Sequence, residues 1–575
     1  MAPSSPPKRP PFGLSIGAPS RWIWGVLIIT LIGFLLRVYG LRLGLPNAHR
    51  YFSYHPDEGL NLAAAIRADI LHGQLDTHFY HYGTLYFYLV SFALSLARGW
   101  GFLHHLPAGM VIPASYYLVA RWVTVLMGTA TIALVYGLGR RLYGEMAGLL
   151  AAAGAAITPL AVVHSHFATV DVPAAFFVVA ALYSGAGLLH KPTIKGYLKC
   201  GLLTGLAGAT KYNAALVVLG PALVWLTGAG APNAGQPTNT DDAQPIPGNK
   251  PIKRNLIHLL VLLFAALAGF LIGCPGPLIN WHGFYRDFTY ELTKSQQGMG
   301  LLFVKTGNGW WYHFAVSLRY GMGIPLLLVC TAGVGMALAR RSRADLLLLG
   351  FLIPYYGVIG WAQVRFMRYV IPILPVLIVM GARLLTEPFP KMPRMNRILQ
   401  AIGVLVALQA GFLCLALDHQ FGAPDARGVA ARWLEKNAPP GATVGFATTP
   451  WYYTPPLSPW FGAPPWTVRR EAAQEMSRFQ AVLPPLDRNG YPTEWNLAVL
   501  DQKPQYVIIS NLESEDPIRL RLPDAMAFYH QLNRDYRPVV FANVPEAVGL
   551  QLRVPAYLPN DLLYILPKIT IYVRR

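Results

Sequence analysis

The sequence predicts a polytopic α-helical membrane protein that carries a small α/β domain in its C-terminal part. Three observations predict this class: 54% of the 575 residues are hydrophobic, only 13% are charged, and the apolar residues occur in long runs. A soluble globular protein has a charged share of roughly 25%. The composition therefore excludes a disordered chain, a coiled coil and a purely soluble enzyme.

The net charge of +20 raises the alternative of a nucleic-acid-binding protein. Such a protein concentrates Lys and Arg on one soluble face. Here they form short clusters between apolar runs, which is typical of loops that stay in the cytoplasm. We therefore expect a membrane and no nucleic acid as partner. The cysteines show no CxxC or zinc-binding spacing and are predicted to be membrane-buried thiols; they are Cys200, Cys274, Cys330 and Cys414.

Runs of about 20 apolar residues predict about 11 membrane spans. A Pro-rich, basic segment precedes the first run and has no small-residue cleavage site, which predicts a cytoplasmic tail (1–21) and an uncleaved first span. The run 196–226 is too long for one span and contains Lys211, so we expect two helices that meet there. The other runs begin at Trp22, Leu118, Gly144, Val172, Asn255, Trp311, Leu346, Val370 and Ile398.

The basic clusters predict the orientation of the chain. If residues 84–97 lie at the membrane surface and do not cross it, every basic cluster between spans falls on the cytoplasmic side. We therefore expect a juxtamembrane helix at 84–97, within a first outer loop at 43–117. The predicted transmembrane core is 22–418, in a plasma (inner) membrane, and its Gly/Pro/Asn-rich stretch 227–252 is a cytoplasmic linker.

The composition changes after Asp418 and predicts an extracytoplasmic α/β domain at 419–575. A helix is predicted over 425–436, because Pro439-Pro440-Gly441 follows it and ends it, and a second helix is predicted over 523–533. The Pro/Trp-rich stretch 449–468 is predicted to be a surface loop. Short apolar runs predict strands at 443–447, 506–510, 539–541 and 569–573.

The first outer loop contains a carboxylate pair at the start of a predicted helix. Asp57 follows Pro56, precedes an apolar pattern that ends at Gly73, and is therefore a predicted N-cap. Glu58 lies in the first turn. A helix N-terminus favours the ionised carboxylate, which suits a base or a ligand that must be charged at neutral pH. A capped interfacial helix without any chemistry is the open alternative.

Charged residues also recur at the predicted outer ends of the spans. Asp171 opens a span, Lys211 lies at a helix joint, and Arg365 and Arg368 flank an apolar turn. Ionisable groups at membrane depth are costly and are usually functional or paired. For the two arginines, side chains that extend to the interface are an equal alternative.

Most histidines map to or near the predicted outer side, which raises the question of a metal site. Imidazole and carboxylate ligands such as His55 and Glu58 suit a divalent ion. There is no HxxxH or HExxH spacing, and His164 and His166 face different directions on a helix. Hydrogen-bonding or interfacial histidines are the favoured interpretation. The chain also lacks a Walker A loop, a GxGxxG motif after a strand and a GxSxG elbow.

Five short motifs follow one another along residues 20–420: HisProAspGlu (55–58), TyrGlyThrLeuTyrPheTyr (82–88), ThrValAspValProAlaAlaPhePhe (169–177), AlaThrLysTyrAsn (209–213) and ArgTyrValIleProIleLeuPro (368–375). Their order and their predicted outer location resemble those of membrane glycosyltransferases of the C-type fold, which use polyprenyl-phosphate sugars. Protein O-mannosyltransferases, aminoarabinose transferases and lipopolysaccharide-core transferases belong to this superfamily. Relatives often carry a Pro-Pro pair where this chain has Tyr82-Gly83-Thr84, which leaves the donor sugar and the acceptor open.

The resemblance implies inverting transfer of a sugar from a polyprenyl-phosphate donor to a lipid, glycan or protein hydroxyl outside the cytoplasm. It implies that Asp57 is the general base, beside Glu58, and that Asp171 shapes the acceptor or sugar site. A poor hydroxyl nucleophile needs a base, and a phosphate leaving group needs cations. The donor phosphate is implied to bind Lys211, with Arg368 and Arg365. Further implied substrate-binding residues are His55, His81, Tyr82, His166, Tyr212 and Tyr369.

Two other functions and one cofactor stay open at this point. A secondary transporter or lipid-carrier flippase also has broken helices and buried charges, although neither internal repeats nor midplane charges are visible here. A non-catalytic scaffold whose outer domain binds partners ranks third. No cofactor is expected with certainty; a divalent metal on Glu58 and His55 is the remaining candidate.

Overall fold

The computed structural model describes residues 21–107, 109–227, 255–388, 392–555 and 557–575. Nearly all of the predicted tail at 1–21 and of the predicted linker at 227–252 lies outside these residues. The α-helices up to Asp418 are α1 Arg21–Val38, α2 Pro56–Arg67, α3 Leu85–Gly99, α4 Ala114–Tyr143, α5 Glu145–Ile157, α6 Pro159–Ser165, α7 Asp171–Leu188, α8 Ile194–Thr210, α9 Leu219–Thr227, α10 Leu256–Gly273, α11 Gly276–Ile279, α12 Trp281–Gln297, α13 Gly309–Tyr312, α14 Arg319–Met322, α15 Ile324–Arg340, α16 Arg343–Trp361, α17 Leu374–Leu385 and α18 Pro393–Asp418. Short 3₁₀ segments lie at Ile70–His72, Tyr212–Val218, Met367–Ile373 and His419–Phe421, and a π-helical turn at His313–Leu318.

Within the described ranges, six helices are long and apolar enough to cross a membrane, or seven if the bent pair α5 and α6 counts as one span. Pro159 begins α6, and the two helices meet at an angle of 56°. Four shorter apolar helices accompany them. The chain is thus a multi-pass helical membrane protein, and the count of 11 spans stays a prediction. The predicted joint is confirmed: α8 ends at Thr210, and Lys211 has extended backbone before the 3₁₀ segment.

The first outer loop folds into α2 and α3, which pack on each other and on α4. The predicted N-cap is wrong. His55 is the cap, because Pro56 occupies the first helical position and the His55 Nδ1 accepts a hydrogen bond from the Asp57 N–H at 3.3 Å. The helix also ends at Arg67, well before Gly73, which closes the short 3₁₀ turn with a positive φ.

The C-terminal part forms a mixed five-stranded sheet with the strand order β2-β1-β3-β7-β4. All four predicted strands and both predicted helices are confirmed, whereas β2 and the β5–β6 hairpin were not predicted. The helices are α19 Ala426–Asn437, α20 Trp466–Gln474, α21 Ala498–Asp501, α22 Asn511–Arg519, α23 Pro523–Asp535 and α24 Asn560–Leu563. The strands are β1 Thr443–Phe446, β2 Gln480–Val482, β3 Tyr506–Ser510, β4 Tyr536–Ala542, β5 Glu546–Ala547, β6 Leu550–Gln551 and β7 Lys568–Arg574.

Two segments of this part pack directly on the membrane half. The predicted surface loop at 449–468 is a surface loop only in part: Tyr452, Tyr453 and Phe461 pack in the domain core, while 464–468 stays mostly exposed. The Tyr51 N–H donates to the Pro459 carbonyl of this loop at 3.0 Å. The second segment, 558–566, inserts apolar side chains into the core of the helix bundle. We call the end of the bundle that carries these contacts the domain face.

Candidate active site

Arg368 is the centre of a cluster of charged side chains on the domain face. It lies in the 3₁₀ segment Met367–Ile373 and is 5% exposed. Its Nη2 lies 3.0 Å from the Asp57 Oδ2, its Nη1 donates to the Asp561 Oδ1 at 2.8 Å, and its Nε lies 4.0 Å from the Asp171 Oδ2. One guanidinium thus joins three carboxylates from three separate elements.

Lys211 adds the second cation of this cluster. Its Nζ donates to the Asp171 Oδ1 at 2.5 Å and lies 4.6 Å from the centre of the Tyr369 ring. Lys211 lies at the break after α8, and Asp171 is the first residue of α7, where the helix dipole favours a carboxylate. The interrupted helix and the helix start thus hold the pair at the end of the bundle. Asp57, Asp171, Lys211 and Arg368, which the sequence predicted, lie in one cluster.

Asp561 is a member of the cluster that the sequence did not predict. It belongs to α24 in the segment that inserts into the bundle, and its Oδ2 also accepts the Met367 N–H at 2.7 Å. The Nε2 of His164 lies 3.6 Å from the Asp561 Oδ1. Two features of the sequence could have pointed to Asp561: it precedes an apolar run, and His164 lies at the end of α6. Neither feature is specific for a functional site.

Glu58 lies next to Asp57 in the chain but faces away from Arg368. Arg121 of α4 binds both carboxylate oxygens, at 2.8 and 2.7 Å, and the Ser53 hydroxyl and the Ala168 N–H donate at 2.5 and 2.7 Å. Burial alone would raise the pKa of Glu58, but the charge and hydrogen bonds of Arg121 lower it below its usual value. Glu58 is 0% exposed and fully partnered.

Aromatic side chains surround Asp57 and His55. The His55 ring lies 4.7 Å from the ring of Tyr564 and 4.6 Å from that of Phe167. Burial lowers the pKa of His55 well below its usual value, so the imidazole is neutral. Burial, followed by the charge of Asp57, raises the pKa of Tyr82. Asp57 itself keeps 23% of its side-chain surface exposed, which leaves room for a second ligand.

The loop at 80–82 is held against the break after α8. The Tyr212 hydroxyl donates to the carbonyls of Tyr80 and Tyr82, at 2.7 and 3.0 Å. The Nδ1 of His81 lies 3.0 Å from the Glu291 Oε1 on α12. Predicted substrate-binding residues Tyr82, Tyr212 and Tyr369 thus border the cluster, and His81 lies at its edge.

Two predicted site residues lie outside the cluster. The Arg365 guanidinium bonds the Thr306 hydroxyl and the Gly307 carbonyl, at 2.8 and 2.7 Å, and holds the loop before α13. The His166 ring bonds the carbonyls of Val162 and Tyr39, at 2.9 Å each, and is fully buried. As predicted, His164 and His166 face different directions.

The residues proposed for a divalent metal do not fit one. Each carboxylate oxygen of Glu58 already accepts two hydrogen bonds. Oε1 accepts them from Arg121 and the Ala168 N–H, and Oε2 accepts them from Arg121 and Ser53, so no lone pair is left for a metal. The Nδ1 of His55 accepts the Asp57 N–H, so the neutral imidazole carries its proton on Nε2, and neither ring nitrogen offers a free lone pair to a metal. In the described part of the chain, no group of three or more His, Cys, Asp and Glu is arranged for a metal.

The sequence matches a known family over part of its length. Residues 106–233 match the model of the family described as dolichyl-phosphate-mannose-protein mannosyltransferase. The match covers less than a quarter of the chain and includes Asp171 and Lys211. It confirms, over these residues, the resemblance that the motifs indicated. A search of curated proteins gave no match.

Three solved structures with a similar fold are less than 20% identical to this chain. The oligosaccharyltransferase of Archaeoglobus fulgidus, in the apo form, is 17% identical, with a TM-score of 0.48 over 95% of this chain and 76% of that one. ArnT from Cupriavidus metallidurans, bound to undecaprenyl phosphate, is 14% identical, with a TM-score of 0.45 over 73% of each chain. The S. cerevisiae Pmt1–Pmt2 complex, bound to the sugar donor, is 18% identical, with a TM-score of 0.32 over 47% and 34%. At these values the likenesses assign neither a substrate nor a site.

Proposed function

We propose that the protein transfers a sugar from a polyprenyl-phosphate donor to a hydroxyl acceptor, with inversion at the anomeric carbon. The observation that supports this most is the convergence of Asp57, Lys211 and Arg368 at one end of a membrane helix bundle. A base and two cations are the groups that this transfer needs, and a lipid-linked donor presents its phosphate at that depth. The family match over 106–233 supports the same class.

In this proposal Asp57 is the general base. The acceptor oxygen attacks the anomeric carbon, the bond from that carbon to the phosphate oxygen breaks, and the acceptor proton moves to the Asp57 carboxylate. The polyprenyl phosphate leaves with the bonding electron pair. Lys211 and Arg368 stabilise its developing charge, because guanidinium and ammonium groups in a water-poor site act strongly on a phosphate.

In this proposal, Asp57 is paired with Arg368 while the site holds no donor. Two cations face three carboxylates there. A donor phosphate competes with Asp57 for the Nη2 of Arg368, and its binding therefore releases Asp57 toward the acceptor. Asp171 orients Lys211, and Asp561 holds Arg368 from the opposite side.

Glu58 has a positioning role in this proposal. Its bidentate pair with Arg121 fixes α2 against α4, so that Asp57 projects toward Arg368. The first outer loop and residues 419–575 are proposed to lie outside the cytoplasm, because the basic clusters then remain inside. The acceptor is a glycolipid, polysaccharide or protein hydroxyl.

The test is donor turnover by the purified full chain in detergent with a panel of polyprenyl-phosphate sugars, measured as released polyprenyl phosphate. Asp57→Asn is expected to lower the rate by about 10²–10⁴-fold, and Lys211→Ala by about 10²-fold or more. Asp524→Asn is the matched control, since Asp524 also follows a Pro in the first turn of an exposed helix, α23.

Full activity in both site variants would refute the site assignment. Counterflow of a labelled lipid-linked sugar that does not depend on Asp57, without transfer, would favour the flippase. Absence of donor binding by the full chain would favour the scaffold.

A further inference from the structure

A cavity lies apart from the Arg368 cluster. It has a volume of about 740 Å³ and separates the segment 40–50 from α19. None of the charged residues of the cluster lines it. Tyr54 forms part of its wall, with the guanidinium of Arg427 3.5 Å from one side of the ring and that of Arg50 3.6 Å from the ring centre.

The cavity is rich in arginines that lack a carboxylate partner. Arg42, Arg50 and Arg432 line it, and none of them has an ion pair within the described residues. Asp425 also lines it, but both of its oxygens bind Arg427, which lies behind Tyr54. Glu435 is the remaining acid of the lining. The cavity therefore presents an excess of positive charge.

Arg50 makes this excess significant because its side chain is buried. It is 6% exposed, and its Nε and Nη2 donate to the carbonyls of Phe52 and Leu45, at 3.0 and 2.5 Å. Asp425, the nearest acid, is already paired with Arg427, so Arg50 has no carboxylate of its own. Burying a charge is costly unless it is paired. A buried guanidinium at the wall of an open cavity is therefore a group that an anion from solution or from the membrane would stabilise.

The cavity lies where two membrane helices end. Gly40 follows α1 and Phe421 follows α18, and a Cβ atom at Gly40 would lie 2.4 Å from the Phe421 backbone. The segments that follow the two helices are therefore in direct contact. Below this point the two helices expose large apolar side chains, with Leu31 55% and Leu35 57% exposed on α1 and Leu415 47% exposed on α18. Such a surface is typical of lipid contact, and we infer from it that the cavity directly above lies at headgroup level.

We propose that this cavity binds the phosphate of a phospholipid from the leaflet on the domain face. Arg42, Arg50 and Arg432 hold the phosphate, because guanidinium groups match phosphate oxygens in pairs of hydrogen bonds. The acyl chains follow the exposed apolar faces of α1 and α18. The site is independent of the proposed sugar transfer, since it uses none of the same charged residues.

The test measures binding of dioleoylphosphatidylglycerol to the delipidated full chain by native mass spectrometry. Arg42→Gln combined with Arg432→Gln is expected to lower the affinity about tenfold or more, because two charged hydrogen-bond donors are lost. Arg488→Gln combined with Arg537→Gln removes two exposed arginines elsewhere in the domain and is expected to leave the affinity unchanged.

A steric variant tests the same cavity without changing its charge. Gly428 lines it, and a Cβ there meets only the Arg432 Nη1 at 3.5 Å, so Gly428→Leu is expected to fold and to reduce binding by occupying the space. Wild-type affinity in both this variant and the double arginine variant would overturn the proposal. If sn-glycerol 3-phosphate competed as well as the phospholipid, the ligand would be a free phosphate and not a lipid. If diacylglycerol bound as tightly as the phospholipid, binding would come from apolar contacts alone and not from the phosphate. Either result overturns the lipid site.

Discussion

Glu58→Gln tests whether the residue beside Asp57 is structural or catalytic. The side chains of Glu58 and Arg121 are 0% and 1% exposed, and two hydrogen bonds of 2.7–2.8 Å join them. Removal of one partner from such a buried pair leaves an uncompensated charge and costs about 3–5 kcal/mol. We therefore expect a lower thermal unfolding midpoint for the detergent-purified chain. The transfer rate per folded molecule is expected to fall less than in Asp57→Asn, because Glu58 positions the base but is not the base.

The double variant Glu58→Gln with Arg121→Gln sharpens this test. It removes both charges, so its loss of stability is expected to be smaller than the sum of the two single losses. Glu435→Gln, on the exposed face of α19, is the control and is expected to leave the midpoint unchanged. An unchanged midpoint in Glu58→Gln, together with a rate that falls as far as in Asp57→Asn, would refute the structural role.

The same pair predicts a dependence of stability on pH. The charge of Arg121 outweighs the effect of burial, so the folded-state pKa of Glu58 lies below its usual value of 4.5. The stabilisation is therefore complete above that pH and is lost as the pH falls through the lower folded-state pKa. Glu58→Gln is expected to remove this part of the acid destabilisation.

Three further outcomes are expected. Gly83→Ala forces a Cβ to 2.0 Å from the Ala209 carbonyl oxygen, two residues before the Lys211 joint, so we expect a loss of about 1–3 kcal/mol in thermal stability; Gly99→Ala, which meets nothing within 4 Å, is the control. Asp561→Asn loosens Arg368 and is expected to lower the transfer rate by up to about 100-fold in the release assay; a wild-type rate would contradict its role. Burial raises the pKa of Glu513 to about 7, so its stabilising contribution is lost as the pH rises through that value. Unfolding midpoints at pH 5 and pH 8 are therefore expected to differ less in Glu513→Gln, and an unchanged difference would count against this assignment.

The membrane itself explains why three members of the cluster were predictable from the sequence. Ionisable groups are costly at membrane depth, so Asp171, Lys211 and Arg368 stand out from the apolar sequence around them. Asp561 has no such contrast, because acids are common in the C-terminal part, and it lies 193 residues from Arg368 in sequence. Only the packing of the segment 558–566 on the bundle brings the two together.

The sequence predicted the type of each helix and strand more reliably than the residues at which it begins and ends. The N-cap was assigned to Asp57 because aspartate is a common cap, but Pro favours the first helical position, which places the cap at His55. The resemblance implies that Glu58 lies beside the base, whereas in the structure its side chain binds Arg121 instead. Successive residues on a helix point about 100° apart, so Glu58 faces α4 while Asp57 faces Arg368.

If Asp57 is the base that we propose, the inserted segment 558–566 also bears on the route by which an acceptor reaches it. Asp561 binds the Arg368 guanidinium, and the Tyr564 ring covers His55. A hinge motion that lifted the C-terminal part off the bundle would remove a carboxylate and an aromatic wall from the centre that the acceptor is entering. We therefore expect acceptors to arrive sideways, along the seam between the first outer loop and the sheet domain, while the two halves remain docked throughout the catalytic cycle.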